Sequence, residues 1–194
     1  MMMVGLPSFV TVRKSVKSEN QKARNMNYPN YFTADELKIL AFYNGGGEPA
    51  APRLNDIKNW FANFSEELET RHDWVQWAFP IDTPSQFNPD APIVTHPEVF
   101  SYVRKDELIS NIIRMCSWLG IYLYKNVEGQ YSHNYARIRE WYESEDHNNL
   151  RVTRLLRCLR LAGMALERDL LMDILNEVAF RFGRKPAVDY WQAA

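Results

Sequence analysis

The chain has 194 residues, 46% of them apolar and 13% aromatic, and a formal net charge of −1. That length supports one well-buried core, and that composition excludes a disordered chain. The near-neutral balance excludes a global field drawing the protein to nucleic acid or a membrane surface, and no apolar run approaches the roughly 20 residues of a spanning helix.

Residues 1–30 read as an irregular basic segment, with Arg13, Lys14, Lys17, Lys22 and Arg24 set against Glu19. A solvated, mobile tail is the expectation, and docking on an anionic partner is the lesser reading. The opening MMMVGLPSFV has its charges after the apolar stretch and no clear cleavage site, so it reads as a non-exported start. Thr33-Ala34-Asp35-Glu36 has capping-box spacing, and Leu37, Leu40 and Ala41 follow at helical intervals until Asn44-Gly45-Gly46-Gly47. That glycine run precedes Glu48-Pro49 rather than a Lys-Ser/Thr pair, so it is a helix–helix loop and not a phosphate cradle.

Leu54, Ile57, Trp60 and Phe61 predict a short amphipathic helix. Ser65 is placed to cap another, running to about Phe79, where Pro80 disfavours helical geometry. Residues 80–97 carry Pro80, Pro84, Pro89, Pro92 and Pro97, a long stiff connection with Phe87 and Ile93 as candidate pins. Thr95-His96-Pro97-Glu98 repeats the capping spacing, and Leu108, Ile112, Met115, Leu119 and Tyr122 predict a helix over roughly 105–124. A polar loop or small hairpin is expected over 125–133, then a short helix through Ile138, Trp141 and Tyr142. Two more helices, about 148–162 and 165–182, meet near Gly163. Cys116 and Cys158 fall inside helical patterns and read as small buried hydrophobes in a reducing compartment. The expected fold is all-α, an irregular bundle of about 7–8 helices with little or no sheet. Its organisation reads as a basic segment at 1–30, a helical domain at 31–182 and a flexible tail at 183–194.

Two segments invite a functional question. In the first, His72-Asp73-Trp74-Val75-Gln76-Trp77-Ala78-Phe79-Pro80, helical projection puts Val75, Gln76 and Phe79 on one side and Trp74 and Trp77 on much of the other. A helix apolar on both sides is central to its fold. His72-Asp73 has no upstream His, and His96, His133 and His147 form no i,i+4 pair, so no metal is expected. No G-x-S-x-G elbow is present either. In the second, residues 147–163, Val152, Leu155, Leu156, Leu159 and Ala162 form an apolar stripe. Arg151, Arg154, Arg157 and Arg160 cover the other half, with Asp146 or Asn148 as candidate caps. The leading reading is a solvated face paired with acids such as Glu140, Glu143 and Glu145; docking of an acidic peptide comes next, then phosphate-backbone contact.

These segments, with Phe87-Asn88-Pro89-Asp90-Ala91-Pro92 between them and His147-Asn148-Asn149-Leu150-Arg151-Val152-Thr153-Arg154-Leu155-Leu156-Arg157-Cys158-Leu159 closing the pattern, resemble the conserved region of the opioid growth factor receptor family over about residues 35–180. The resemblance implies a receptor-type helical domain. Animal members are associated with the nucleus and nuclear envelope and bind enkephalin-type peptides; short microbial members also exist. It supplies no catalytic residue and no cofactor, and opioid binding itself is not transferred.

The expectation is therefore a non-enzymatic domain recognising a peptide or protein partner through Arg151, Arg154, Arg157, Arg160, Phe87 and Asn88. The cytoplasm is its expected location, or the nucleus or nuclear envelope of a eukaryotic cell. The family residues His72, Asp73, Trp74, Gln76, Trp77, Phe79, Pro80, His147, Asn148 and Asn149 are read as structural. The alternatives are a metal-independent hydrolase or transferase using His72, Asp73 and Asn148 or Asn149, and a nucleic-acid binder using the Arg face and the basic segment.

Overall fold

A computed structural model describes residues 28–45, 52–124, 132–144 and 147–194. Among these the regular structure is helical, with one isolated parallel bridge between Ile81 and Ile93 as the sole sheet-like pairing. The basic segment through residue 27, the glycine run from Gly46, the loop 125–131 and the candidate cap Asp146 lie outside the described residues.

Helix α1 (Ala34–Tyr43) starts on the expected capping box: Thr33 Oγ1 accepts the Glu36 amide at 3.2 Å, and the Glu36 carboxylate accepts the Thr33 amide at 2.8 Å. Helix α2 (Leu54–Ala62) buries Ile57 and Phe61 and packs on α5 (Lys105–Trp118). Leu119 follows as the C-cap, five residues short of the expected end at 124. Gly120 takes φ +84°, and the Ile121 amide reaches back to Cys116 O at 2.8 Å, closing the last turn. A Cβ on Gly120 would stand 2.8 Å from Asn134 O, so backbone approach as well as the left-handed φ requires glycine there.

The helix expected over 65–79 is two helices, α3 (Glu67–Thr70) and α4 (Trp74–Ala78). Arg71 is extended (ψ 132°) at the break. Two side chains take carbonyls that a continuous helix would have used: Trp74 Nε1 donates to Leu68 O at 3.2 Å, and Arg151 donates to Arg71 O at 3.3 Å. Tertiary partners thus outbid local periodicity. The two-sided burial does hold, since residues 74–81 are all buried. The Thr95 capping box does not form: His96 precedes a 3-10 turn (Pro97–Ser101), and no side chain caps it.

Helices α6 (Tyr135–Glu143), α7 (His147–Leu161) and α8 (Ala165–Phe182) close the bundle with α7 packed against both neighbours. Gly163 (φ +66°) turns the chain between α7 and α8, and the Met164 amide reaches Leu159 O at 2.9 Å. The tail expected to be flexible is instead α9 (Ala187–Ala193), docked on α7 and α8. Trp191 explains the difference. It is 1% exposed, its ring meets Trp141 and Tyr142, and its Nε1 donates to Asn149 O at 3.2 Å. A single large aromatic offers too little periodicity in a short segment to signal this. Trp191→Phe is expected to lower stability by about 1–2 kcal/mol in chemical denaturation; a frayed tail would give no change.

Candidate functional site

The proline connection folds back over α4 and α7 and leaves a cavity of about 240 Å³ between them. His72, Val75 and Gln76 contribute from the break and α4. Ile81, Pro84, Ser85 and Phe87 contribute from the connection. The third wall is α7, with His147, Leu150, Arg151, Arg154 and Arg157. Phe87 (71% exposed) and Leu150 (57%) leave apolar surface in water at this cavity.

Two anchors hold the connection. Near its start, Ser85 Oγ accepts the Phe87 and Asn88 amides, each at 3.2 Å, and lies 3.3 Å from Gln76 Nε2. Asn88 Nδ2 adds a bond to Asp73 O at 3.3 Å. At its end, the buried Glu36 carboxylate accepts the Thr95 amide at 2.9 Å and the His96 amide, and meets His96 Nδ1 at 3.1 Å. The capping glutamate of α1 is therefore also the clamp on the connection.

The four arginines do not form one solvated face. Arg151 is 4% exposed and lies over Trp74 and Trp118, 5.3 and 5.6 Å from their ring centres. It donates to Asn148 Oδ1 at 3.0 Å and stands 3.6 Å from Glu69. Arg154 Nε donates to Phe79 O at 2.9 Å, and burial pushes its guanidinium down to about 10. Arg157 Nε is 2.6 Å from Asp82. Arg160 is exposed and does not line the cavity. The acids expected to pair with this face go elsewhere: Glu140 pairs with Arg137 and Glu143 with Arg139, while Glu145 lies outside the described residues. The face is divided because α7 is covered on its arginine side by α3, α4 and the connection, so Arg151 is buried, Arg154 and Arg157 are partly buried and Arg160 is exposed. That leaves no continuous basic stripe on α7 for a phosphate backbone.

Glu69 is the organising residue that the sequence did not reveal. Its carboxylate stands 2.8 Å from Arg137, 3.1 Å from His147 Nε2 and 3.4 Å from Asn148 Nδ2. Burial raises its pKa, but Arg137, Arg151 and Asn148 outweigh that and hold it below the ordinary carboxylate range. An isolated acid in a short amphipathic turn carries no sequence signal of this kind. His147 presents its ring edge-to-face with His72 at 5.4 Å. Asp73 is tied to Arg71, and Asn149 donates to the Trp141 and Ser144 carbonyls. The His72/Asp73/Asn set of the hydrolase reading is thus not gathered around the cavity. Trp74, Trp77 and Phe79 are core residues.

Residues 33–191 match the family described as opioid growth factor receptor (OGFr) conserved region, and the chain belongs to that family. It is similar to the opioid growth factor receptor of Rattus norvegicus, 29% identical over 182 residues covering 85% of this chain and 31% of that protein. Against the Homo sapiens receptor it is 29% identical, over 87% of this chain and 27% of the receptor. Against opioid growth factor receptor-like protein 1 of Mus musculus it is 27% identical, over 88% and 38%. The chain thus spans well under half the length of these relatives. No solved structure gives a significant match. Among the described residues no helix is long and apolar enough to cross a membrane.

Proposed function

We propose that this chain is a receptor-like, non-enzymatic binding domain that takes a peptide segment of a partner protein in the cavity between α4, the proline connection and α7. The observation that carries the reading is that Arg151, Arg154 and Arg157 of α7 and the exposed Phe87 of the connection border one cavity. Val75, Ile81, Phe87 and Leu150 offer apolar contact for a side chain, and the arginines offer charge-assisted bonds beside it. The family membership supports a receptor-like role; the opioid ligand in the relatives' names is left with those relatives. Two buried free thiols suit a reducing compartment, so we place the protein in the cytoplasm, or in the nucleus of a eukaryotic cell.

The test is selection of binders from a random peptide library with the intact chain, followed by Phe87→Ala. Phe87 is mostly in water, so its truncation is expected to leave stability within about 0.5 kcal/mol and to weaken selected peptides about tenfold or more. Binders indifferent to Phe87→Ala and to Arg157→Glu would reject this cavity as the site.

A further inference from the structure

The cavity's lining set contains three arginines and no carboxylate. Two of the three cations are compensated from behind, Arg151 by Glu69 and Arg157 by Asp82. Arg154 is not: among the described residues it has a neutral carbonyl, Phe79 O, and no acid within ion-pair distance. Burial, and to a lesser degree the neighbouring Arg157 charge, lower its pKa, and an anion beside it would oppose both. A guanidinium with one N–H used retains four N–H donors, in a geometry suited to an oxyanion.

A second, independent observation comes from Gln76, which is 4% exposed on the cavity wall and whose amide, placed with Nε2 toward Ser85, leaves Oε1 without any partner. Its other amide atom faces Ser85 Oγ at 3.3 Å. That hydroxyl already accepts the Phe87 and Asn88 amides, and a hydroxyl has two acceptor lone pairs and one proton. Three donors therefore compete for two lone pairs while the hydroxyl proton goes unused. Turning the amide by a half rotation resolves both faults: the Ser85 proton goes to the Gln76 oxygen, and the unpartnered group becomes the Gln76 NH2. A buried, unpartnered NH2 calls for an acceptor, as do the remaining N–H groups of Arg154.

Resting on the reading of the cavity as a peptide site, we propose that its ligand is anchored by an oxyanion, a carboxylate or a phosphate borne by the peptide, received by Arg154 and the side-chain amide of Gln76. The peptide's apolar part then lies toward Phe87 and Leu150.

The test is NMR of the isotope-labelled chain titrated with inorganic phosphate and, separately, with acetate, at constant ionic strength. The Gln76 side-chain NH2 and Arg154 Nε–H signals are expected to move saturably, and the tighter of the two ions identifies the headgroup. Arg154→Gln is expected to weaken that binding at least about tenfold. Gln76→Met removes the unpartnered amide at nearly constant volume, and is expected to weaken the ion severalfold while leaving Tm unchanged or raised. It carries the test if Arg154→Gln fails to fold. Arg160→Gln, outside the cavity, is expected to change nothing. No saturable shift with either ion, or undiminished binding in Gln76→Met, overturns the proposal. Library peptides separate the two ideas: neutral binders that still depend on Phe87 keep the peptide site and reject the anion anchor, while loss of affinity on neutralising a selected Asp, Glu or phosphoserine supports both.

Discussion

Arg151→Ala is expected to lower the unfolding free energy by about 3–5 kcal/mol, the usual loss when one member of a buried, hydrogen-bonded charge cluster is removed. Arg151 lies between α7 and two tryptophans, bonds Asn148 and the Arg71 carbonyl, and faces Glu69. Truncation leaves the Arg71 carbonyl without that donor, deprives Glu69 of one neighbouring cation and opens space beside Trp74 and Trp118. Arg151→Lys is expected to recover less than half of the loss, because an ammonium cannot stack flat on indole while reaching both acceptors. Urea unfolding with an unchanged m-value is the measurement, and a loss below about 1 kcal/mol would show that the cluster is not held by this cation. Because total stability of a domain is about 5–15 kcal/mol, any binding defect of Arg151→Ala must be read against the fraction folded. Phe87 and Gln76 are the cleaner probes of the cavity.

What the sequence made legible follows from the range of the interactions involved. The α1 capping box, α2, α6, and the junction of α7 with α8 rest on residues within about five positions of each other, and local pattern reading finds such signals. The break at 71–73 rests on Arg151, eighty positions away, so the same method ran a helix through it. Thr95 had the right spacing for a cap, yet its amide and that of His96 are claimed by Glu36, and Pro97 opens a 3-10 turn instead. The arginine stripe on α7 was correctly periodic. Periodicity alone could not say which arginines would be roofed by the connection, nor that Glu69 and Asp82 rather than nearby acids would pair with them. Of the six residues proposed from the sequence as contacts, Phe87, Arg151, Arg154 and Arg157 border a common cavity and Asn88 and Arg160 do not, a division that only the tertiary fold sets.

Glu36→Ala is expected to cost about 3–5 kcal/mol and, unlike Arg151→Ala, to loosen the cavity wall from its far end. The carboxylate is fully buried and takes the amides of Thr33, Thr95 and His96, with the His96 ring as a fourth contact. Alanine abandons three backbone donors, two of them on the segment that pairs with Ile81 through Ile93. Hydrogen exchange is expected to rise first at Val94, whose amide bonds Ile81 O, and at Thr95 and His96. The same carboxylate sets an acid limit. Burial raises its pKa, but the bonds to Thr33 and His96 more than offset this and leave it lowered. A carboxyl depressed in the folded state contributes stability that is full above its unfolded pKa, about 4.3, and is lost as pH falls through the lower folded value. Glu69 is lowered likewise, so both act in the same direction. Stability of the intact chain should therefore decline below about pH 4.5, and the decline should be shallower in Glu36→Gln, which has no charge to lose. An equally steep acid limb in Glu36→Gln would assign the titration to Glu69 and leave Glu36 as a clamp without a role in acid sensitivity.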